Sequence, residues 1–323
     1  MADILKESIE QYGLSKDNRP KSMFSKIGLA GCGTVGRAIA RIISRRGIEV
    51  VFVEKSEHLV KKAYDELGRE LDQLIEQWKM TAGEKRGILS RIKGSVSYKD
   101  LKDCDLVIDA ILSKNQKDNI TARKEVFSEI EKHVGPETII VTNSATLPIT
   151  DLSEDIQHKG RCLTVHFSTT TPDSKILEVA RGPNTSDEVY EKILLFAEML
   201  DKKVITVTES PGLVSVRLFV VIINEACQVV MENLTSKEDV DTVLKRSIGT
   251  HYGPFEMADK IGLDKVVQWM ESLYKEFGDV RYKPNPLIKR YMRANHLGMK
   301  TSRGFYEYDK DGKKIEEKVK GCK

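Results

Sequence analysis

The sequence lacks the features by which membrane and secreted proteins are recognised. It contains no run of 18 apolar residues, and its densest apolar run, Leu218 to Ile223, predicts a buried helix segment. The N-terminus begins Met-Ala-Asp and has no apolar core of a secretory signal. We therefore expect neither a membrane span nor a membrane partner.

Cysteine is scarce and widely scattered. The five cysteines, at positions 32, 104, 162, 227 and 322, are odd in number and lie far apart along the chain. They match neither a disulfide framework nor the closely spaced pairs of a zinc site. The sequence thus predicts no metal site and a reducing, cytoplasmic location.

An excess of charge of one sign is also missing. The 52 Lys and Arg residues nearly balance the 49 Asp and Glu residues, which leaves a net charge of +3. A nucleic-acid-binding protein needs a basic surface to neutralise phosphates, so we expect no nucleic-acid partner. A chain of 323 residues with 40% hydrophobic content has room for about two globular domains.

Strand-like and helical segments alternate after a polar N-terminal extension, residues 1–22, for which an exposed helix or a loose tail is expected. Apolar residues spaced three and four apart predict a helical span from Glu57 to about Lys93. This alternation indicates a parallel, doubly wound α/β sheet over residues 23–207. The predicted strands are Lys26 to Ala30, Glu49 to Val53, Leu106 to Ile111, Thr138 to Val141 and Arg161 to Phe167.

The chain changes character after Thr206. Ser210-Pro211-Gly212 is followed by three predicted helices, over residues 213–232, 236–246 and 263–276. They predict a smaller, all-α C-terminal domain over residues 208–323 for substrate binding and dimerisation. Its long apolar first helix can supply a subunit interface, although a helix that is apolar all round is more often a core helix.

A glycine-rich turn joins the first predicted strand to a helix. It comprises Gly31, Cys32, Gly33, Thr34, Val35 and Gly36, a G-x-G-x-x-G pattern. In a dinucleotide-binding unit the three glycines permit the tight turn, the approach of the pyrophosphate and the packing of helix on strand, and the helix N-terminus holds the phosphates. Glu54 follows the second strand, 21 residues beyond Gly33, where an acid binds the ribose 2′-hydroxyl and repels a 2′-phosphate. We therefore predict NAD as the cofactor, although the neighbouring Lys55 weakens the preference over NADP.

A histidine and a glutamate are placed to face each other across a hairpin. His166 and Glu178 lie symmetrically about Pro172, so an antiparallel pair centred there would set them opposite each other, about 5 Å apart between Cβ atoms. Glu178 could then orient one imidazole nitrogen and leave the other as a general base, as hydride removal from an alcohol requires. A purely structural His–Glu pair is the alternative that spacing alone leaves open.

From Lys26 to about Tyr308 the sequence resembles the L-3-hydroxyacyl-CoA dehydrogenase family. The matching blocks are GCGTVG, VIDAI, VTNSATLPI, VHFSTTTPDSKILEVARG, SPGLVSVRL, GPFEMADKIGLD and KTSRGFYEY. The resemblance implies a Rossmann-type doubly wound sheet with a helical C-terminal domain, a role in fatty acid metabolism and a homodimer. It also implies His166 and Glu178 as the catalytic dyad, and Asn143 and Lys300 as contacts of NAD.

The sequence departs from the family pattern at positions that contact the substrate. Ala145 stands where the family has a serine, flanked by Ser144 and Thr146, which are the candidate substitutes in substrate binding. Val216 stands where the family has a substrate-contacting asparagine. Asp65 to Glu76 gives an acidic helix face where relatives have lysines near CoA, and residues 113–119 form an insert that reshapes the site mouth or is simply a surface loop.

Three functions remain open at this stage. The first is NAD-dependent interconversion of a 3-hydroxyacyl-CoA and a 3-ketoacyl-CoA, with a small-molecule acyl-CoA as the substrate. The second uses the same mechanism on a non-CoA hydroxy acid or alcohol, which the acidic helix would favour because it repels CoA phosphates. The third is a non-catalytic dinucleotide-binding structural protein, against which the retained dyad argues.

Overall fold

The computed structural model describes residues 23–111, 116–168, 174–309 and 312–315, with the backbone alone at 116–119. Its strands are β1 (Lys26–Ala30), β2 (Glu49–Val53), β3 (Ile92–Ser95), β4 (Leu106–Asp109), β5 (Ile139–Thr142), β6 (Cys162–Phe167), β7 (Ile176–Arg181) and β8 (Lys203–Thr208). Its α-helices are α1 (Thr34–Arg45), α2 (Glu57–Glu76), α3 (Ala82–Ser90), α4 (Gln116–His133), α5 (Ile149–Leu152), α6 (Asp187–Met199), α7 (Ser215–Met231), α8 (Lys237–Val243), α9 (Pro254–Ile261), α10 (Leu263–Phe277) and α11 (Pro286–Arg293). The predicted N-terminal extension and the hairpin turn at Pro172 lie outside the described residues, as do residues 112–115 at the predicted insert.

The strands form one eight-stranded sheet in the order β3-β2-β1-β4-β5-β6-β7-β8. From β3 across to β6 all neighbours are parallel, whereas β7 runs antiparallel to β6 and parallel to β8. The inner strands are apolar on both faces because helices cover both sides, as the residues of β2 from Val50 to Val53 illustrate. The chain moves from β1 outward to β3 and returns to β4 on the other side of β1. This Rossmann-type order confirms the predicted fold class and opens a crevice between the carboxyl ends of β1 and β4.

The predicted helical span from Glu57 to about Lys93 is helical over α2 and α3, but it is interrupted between them and its end runs into β3. The chain leaves α2 at Trp78, which has a φ of +57° and a side chain that is 95% exposed. Thr81 and Glu84 then form a reciprocal capping box that starts α3, and β3 begins at Ile92. The apolar spacing continued through this break by chance, because Trp78 turns outward where the helix ends instead of joining the core.

The helical domain contains α7 to α11 around a second core, and α7 is its central element. One face of α7 buries Val216, Val220 and Ile223. The opposite face leaves Leu218 and Ile222 exposed, at 62% and 45%. The run from Leu218 to Ile223, predicted to be a buried helix segment, is therefore helical but buried on one face only. Among the described residues, no other element covers this second apolar stripe. None of the helices among the described residues is both long and apolar enough to cross a membrane.

The two domains meet where the sheet passes into α7. Ala145, after β5, and Ala180, in β7, pack in the same apolar cluster as Leu213 and Val216 of the helical domain. The Gly212 N–H donates to the Ala145 carbonyl at 2.6 Å. The position where the family has a serine thus serves here as an apolar contact between the domains.

Candidate active site

The glycine turn has the geometry that a dinucleotide cradle requires. Gly31 adopts a φ of +94°, and its N–H donates to the Val53 carbonyl at 2.9 Å, which folds the turn against β2. A Cβ at Gly36 would lie 2.3 Å from the Gly31 carbonyl oxygen, so only glycine allows α1 to pack this closely. Gly33 is exposed, and a Cβ there would meet nothing within 4 Å. Space therefore remains for a ligand beside this backbone.

The start of α1 and Glu54 complete the cradle. No side chain caps the N-terminus of α1 at Gly33, so its first N–H groups are available to phosphates. Glu54 Oε1 accepts a hydrogen bond from the Cys32 N–H at 2.6 Å, which places the carboxylate beside the turn, where the ribose of a dinucleotide would lie. Burial raises the pKa of the Cys32 thiol to about 12, so this cysteine is not a nucleophile. These residues fit a bound NAD.

His166 and Glu178 lie opposite each other, as their symmetric positions about Pro172 predict. They are paired residues of the antiparallel β6–β7 ladder. The imidazole Nδ1 lies 3.0 Å from Glu178 Oε2, and both side chains are buried. Within the described ranges no protein group is bonded to the imidazole Nε2. With Nδ1 protonated, Nε2 is therefore a free acceptor.

Glu178 has three further donors, all from the start of the helical domain. Its Oε1 accepts from the N–H groups of Val214 and Ser215, each at 2.9 Å, and its Oε2 accepts from Ser215 Oγ at 2.5 Å. Burial raises the pKa of Glu178, but the hydrogen bonds from His166 and Ser215 outweigh burial and lower it to about 2. The carboxylate therefore stays ionised at neutral pH. Sequence reasoning missed Ser215, although a lone serine beginning an apolar helix was the available signal.

The segment after β5 runs beside the histidine. Asn143 Oδ1 accepts from the Phe167 N–H at 2.8 Å and so joins the ends of β5 and β6. Ser144 and Thr146 are both buried, and their hydroxyls bond to no group in the described part of the chain. Val216 is buried in the apolar cluster at the domain joint. The hydroxyls of Ser144 and Thr146 can therefore still form hydrogen bonds with a ligand. The apolar side chain of Val216 cannot.

Two family models match nearly all of the described chain. The model described as "3-hydroxyacyl-CoA dehydrogenase, NAD binding domain" matches residues 26–210, and "3-hydroxyacyl-CoA dehydrogenase, C-terminal domain" matches residues 212–308. The chain belongs to the 3-hydroxyacyl-CoA dehydrogenase family. It is an NAD-dependent dehydrogenase of this family, and its first domain holds NAD.

Named relatives agree with the family assignment. The chain is 32% identical over 285 residues to the 3-hydroxybutyryl-CoA dehydrogenase of Clostridioides difficile, covering 88% of this chain and 100% of that one. The 3-hydroxybutyryl-CoA dehydrogenase of Bradyrhizobium diazoefficiens is 31% identical over 289 residues, 89% of this chain and 96% of its own. The crystal structure of (S)-3-hydroxybutyryl-CoA dehydrogenase from Ralstonia eutropha superposes with a TM-score of 0.78 at 36% identity, covering 89% and 100%.

In this member of the family, Lys300 belongs to a group of charges at the start of α10, which includes Lys265 and lies near Arg123 of the first domain. Its ammonium lies 2.5 Å from both carboxylate oxygens of Asp264, at the start of α10. Lys265, the next residue, lies over the ring of Trp269 at 5.1 Å. Burial, together with the nearby cations Arg123 and Lys300, lowers the pKa of Lys265 to about 8. Sequence reasoning named Lys300 but not Lys265, because a single lysine on a helix carries no motif.

A buried ion pair stands at the end of β4, beside the glycine turn. The guanidinium of Arg123 binds the carboxylate of Asp109 and donates to the Ile111 carbonyl at 2.8 Å. Thr142 Oγ1 donates to the same carboxylate at 2.9 Å, so the pair also links β4 to β5. In the sequence, Asp109 could have been recognised as an acidic residue at the end of a buried strand.

Within the described ranges no three His, Cys, Asp or Glu side chains are arranged to hold a metal ion.

Proposed function

We propose that this protein interconverts a 3-hydroxyacyl-CoA and its 3-ketoacyl-CoA, with His166 as the base and Glu178 as its partner. The observation that carries the proposal is the His166–Glu178 contact of 3.0 Å in a buried pair whose imidazole Nε2 bonds to none of the described residues. The names of the relatives, 3-hydroxybutyryl-CoA dehydrogenases, support a short-chain substrate.

In the oxidative direction His166 Nε2 accepts the proton of the substrate hydroxyl. Bound NAD supplies the hydride acceptor. Glu178 remains an anion throughout, because its donors hold its pKa near 2, and it stabilises the imidazolium that forms. In the reductive direction the imidazolium returns the proton to the carbonyl oxygen. The cofactor would be held by the glycine turn, Glu54, Asn143 and Lys300.

The substrate oxygen needs partners other than those of the family. The side chains of Ala145 and Val216 offer no hydrogen bond and pack at the domain joint instead. Ser144 and Thr146 are buried beside the end of β5, and their hydroxyls bond to none of the described residues. We assign them to the substrate for this reason.

Ion pairs on the acidic helix α2 weaken the argument for a free hydroxy acid as the substrate. The guanidinium of Arg37 in α1 forms ion pairs with Glu66 and Glu70, and its Nε lies 2.9 Å from Glu70 Oε1. Lys85 of α3 binds Asp72 at 2.6 Å. Much of the negative charge on α2 is therefore neutralised within the protein, so the repulsion of CoA phosphates expected from sequence is weaker than the acid count implies.

We also assign a homodimer formed through the helical domain. Leu218 and Ile222 form an exposed apolar stripe on α7, and the end of α10 lies beside it. There the Arg217 guanidinium lies 4.7 Å from the centre of the Phe277 ring. An exposed apolar face of this kind is typical of a protein–protein interface.

The test is NADH formation from NAD and (S)-3-hydroxybutyryl-CoA, run beside free 3-hydroxybutyrate. We expect turnover with the thioester, inhibition by free CoA, and loss of at least about 1,000-fold in kcat for His166→Ala, with the affinity for NAD nearly unchanged. His158→Ala is the matched control, because that histidine is exposed at the opposite end of β6.

Three results would contradict parts of this proposal. Turnover by His166→Ala at the wild-type rate would remove the dyad assignment. Oxidation of the free acid without the thioester, or indifference to CoA, would move the substrate to a non-CoA hydroxy acid. NAD binding without turnover of either compound would favour a non-catalytic, dinucleotide-binding protein.

A further inference from the structure

Glu178 is bound from the helical domain as firmly as from its own sheet. Its Oε2 accepts from both His166 and Ser215 Oγ, while its Oε1 accepts from the two N–H groups that begin α7. A carboxylate with both oxygens bonded can neither rotate nor become protonated without losing donors. Its orientation toward the imidazole therefore depends on residues 36 and 37 positions further along the chain.

The backbone before α7 is folded to bring these donors to Glu178. Gly212 has a φ of +89°, and the buried Leu213 has a φ of +47°, a left-handed conformation that is unfavourable for leucine. The Gly212 N–H is anchored to the Ala145 carbonyl, and Leu213 packs in the helical core. The turn is thus fixed on both sides, and it directs the first N–H groups of α7 at one carboxylate.

From this geometry we infer that Ser215 is a positioning residue for the base, and that the dyad is complete only where the two domains are docked. Ser215 holds Oε2 so that Glu178 keeps the proton of the imidazole on Nδ1 and leaves Nε2 for the substrate. The inference rests on the proposed function in taking His166 as the base. Without the hydroxyl, the backbone N–H groups still hold Oε1, but Oε2 keeps the imidazole as its only partner.

Ser215→Ala tests this role through the rate. A hydrogen bond to a charged group accounts for about a tenfold effect or more, so we expect kcat to fall about tenfold with the KM values changed less than about twofold. Ser215→Thr, which keeps a hydroxyl, should recover most of the loss. The control is Ser153→Ala, which removes a buried hydroxyl that donates to the Ile149 carbonyl at 2.8 Å, away from the dyad. A wild-type kcat for Ser215→Ala would overturn the inference.

A double-mutant cycle separates positioning from general damage to the fold. If Ser215 acts through the Glu178 carboxylate, Ser215→Ala should cause no further loss of kcat in a Glu178→Gln background. A full, additive loss in that background would show that Ser215 supports the structure in another way and would overturn the proposed role.

Acid unfolding gives a readout that needs no substrate. Removal of the Ser215 hydroxyl should raise the pKa of Glu178 from about 2, so Ser215→Ala should be less stable than the wild type above pH 5, and this difference should shrink as the pH falls toward 2. This shift is expected even if the thioester proves not to be the substrate, in which case the proposed function fails while the Ser215–Glu178 bond stands. A difference in unfolding free energy between Ser215→Ala and the wild type that is the same at every pH from 5 to 2 would overturn the inference itself.

Discussion

Glu178 is a buried carboxylate that four donors keep ionised. Burial on its own would favour the neutral acid. The ionised form is stabilised more strongly by hydrogen bonds from His166 Nδ1, Ser215 Oγ and the N–H groups of Val214 and Ser215. The ionised form is the useful one, since only an acceptor oxygen can hold the imidazole in the tautomer that leaves Nε2 free. The same interactions couple the stability of the protein to pH.

Acid should therefore destabilise the protein through Glu178. Its pKa is about 2 in the folded chain against an ordinary value of 4.5, so the unfolded chain binds more protons between these limits. This contribution to stability is complete above pH 4.5 and is lost as the pH falls toward 2. We expect the wild type to lose about 2 kcal/mol of unfolding free energy between pH 5 and pH 3 by this route. Glu178→Gln should not show that loss.

Urea unfolding at several pH values measures this difference. The gap in unfolding free energy between the wild type and Glu178→Gln should narrow as the pH falls from 5 to 3. Glu225→Gln replaces an exposed carboxylate on α7 and should follow the wild-type profile. Parallel profiles for the wild type and Glu178→Gln would rule out a depressed pKa at this site.

At the level of elements, the unit from β1 to α1 depends on two glycines for different reasons. Gly36 is required by packing, because any Cβ would meet the Gly31 carbonyl oxygen at 2.3 Å. Gly33 has open space and an ordinary φ of −68°, so the fold alone would accept a side chain there. The requirement at Gly33 comes from the ligand, whose phosphates must approach the backbone.

Alanine at the two positions should therefore separate stability from NAD binding. Gly36→Ala should lower the unfolding free energy by about 1–3 kcal/mol, because backbone must shift to accept the methyl group. Gly33→Ala should leave stability nearly unchanged and weaken NAD binding at least about tenfold. Thermal unfolding and titration calorimetry with NAD measure the two effects. Gly68→Ala, an open position within α2, is the control and should stabilise slightly.

Equal NAD affinity for Gly33→Ala and the wild type would contradict the placement of the pyrophosphate at this turn. An unchanged melting temperature for Gly36→Ala would contradict the close packing of α1 on the turn.

For the whole molecule, two features of the helical domain lie on different parts of α7. Its N-terminus binds Glu178, and its exposed stripe of Leu218 and Ile222 faces away from the core. A dimer formed over that stripe would hold α7 in place while its start supports the base. Dimerisation and catalysis would then be linked through one helix.

Aspartate at both Leu218 and Ile222 should break the dimer. Burying an unpaired carboxylate costs several kcal/mol, so the dimer dissociation constant should rise at least about 100-fold. Sedimentation equilibrium of the wild type and the double variant measures the change. Trp78→Ser is the control, because it removes an exposed apolar side chain from the other domain. A wild-type chain that is monomeric at high concentration would contradict the proposed interface.

Features that depend on residues close together in the sequence could be predicted from the sequence. The glycine turn, Glu54 after β2 and the pairing of His166 with Glu178 follow from local patterns, namely a turn motif, a strand end and the two-residue period of a hairpin. The break at Trp78 and the strand β3 were not predicted, because a helical period can continue by coincidence past the end of a helix.

The sequence by itself determined the fold class, the glycine turn of the NAD-binding domain and the pairing of His166 with Glu178. Only the tertiary structure decided three further features. Ser215 donates a hydrogen bond to Glu178, Arg37 forms ion pairs with the acidic residues of α2, and the apolar stripe of α7 faces outward. These contacts join elements far apart in the chain, and the packing of one element on another selects them. A residue's own neighbours in sequence carry no record of that choice.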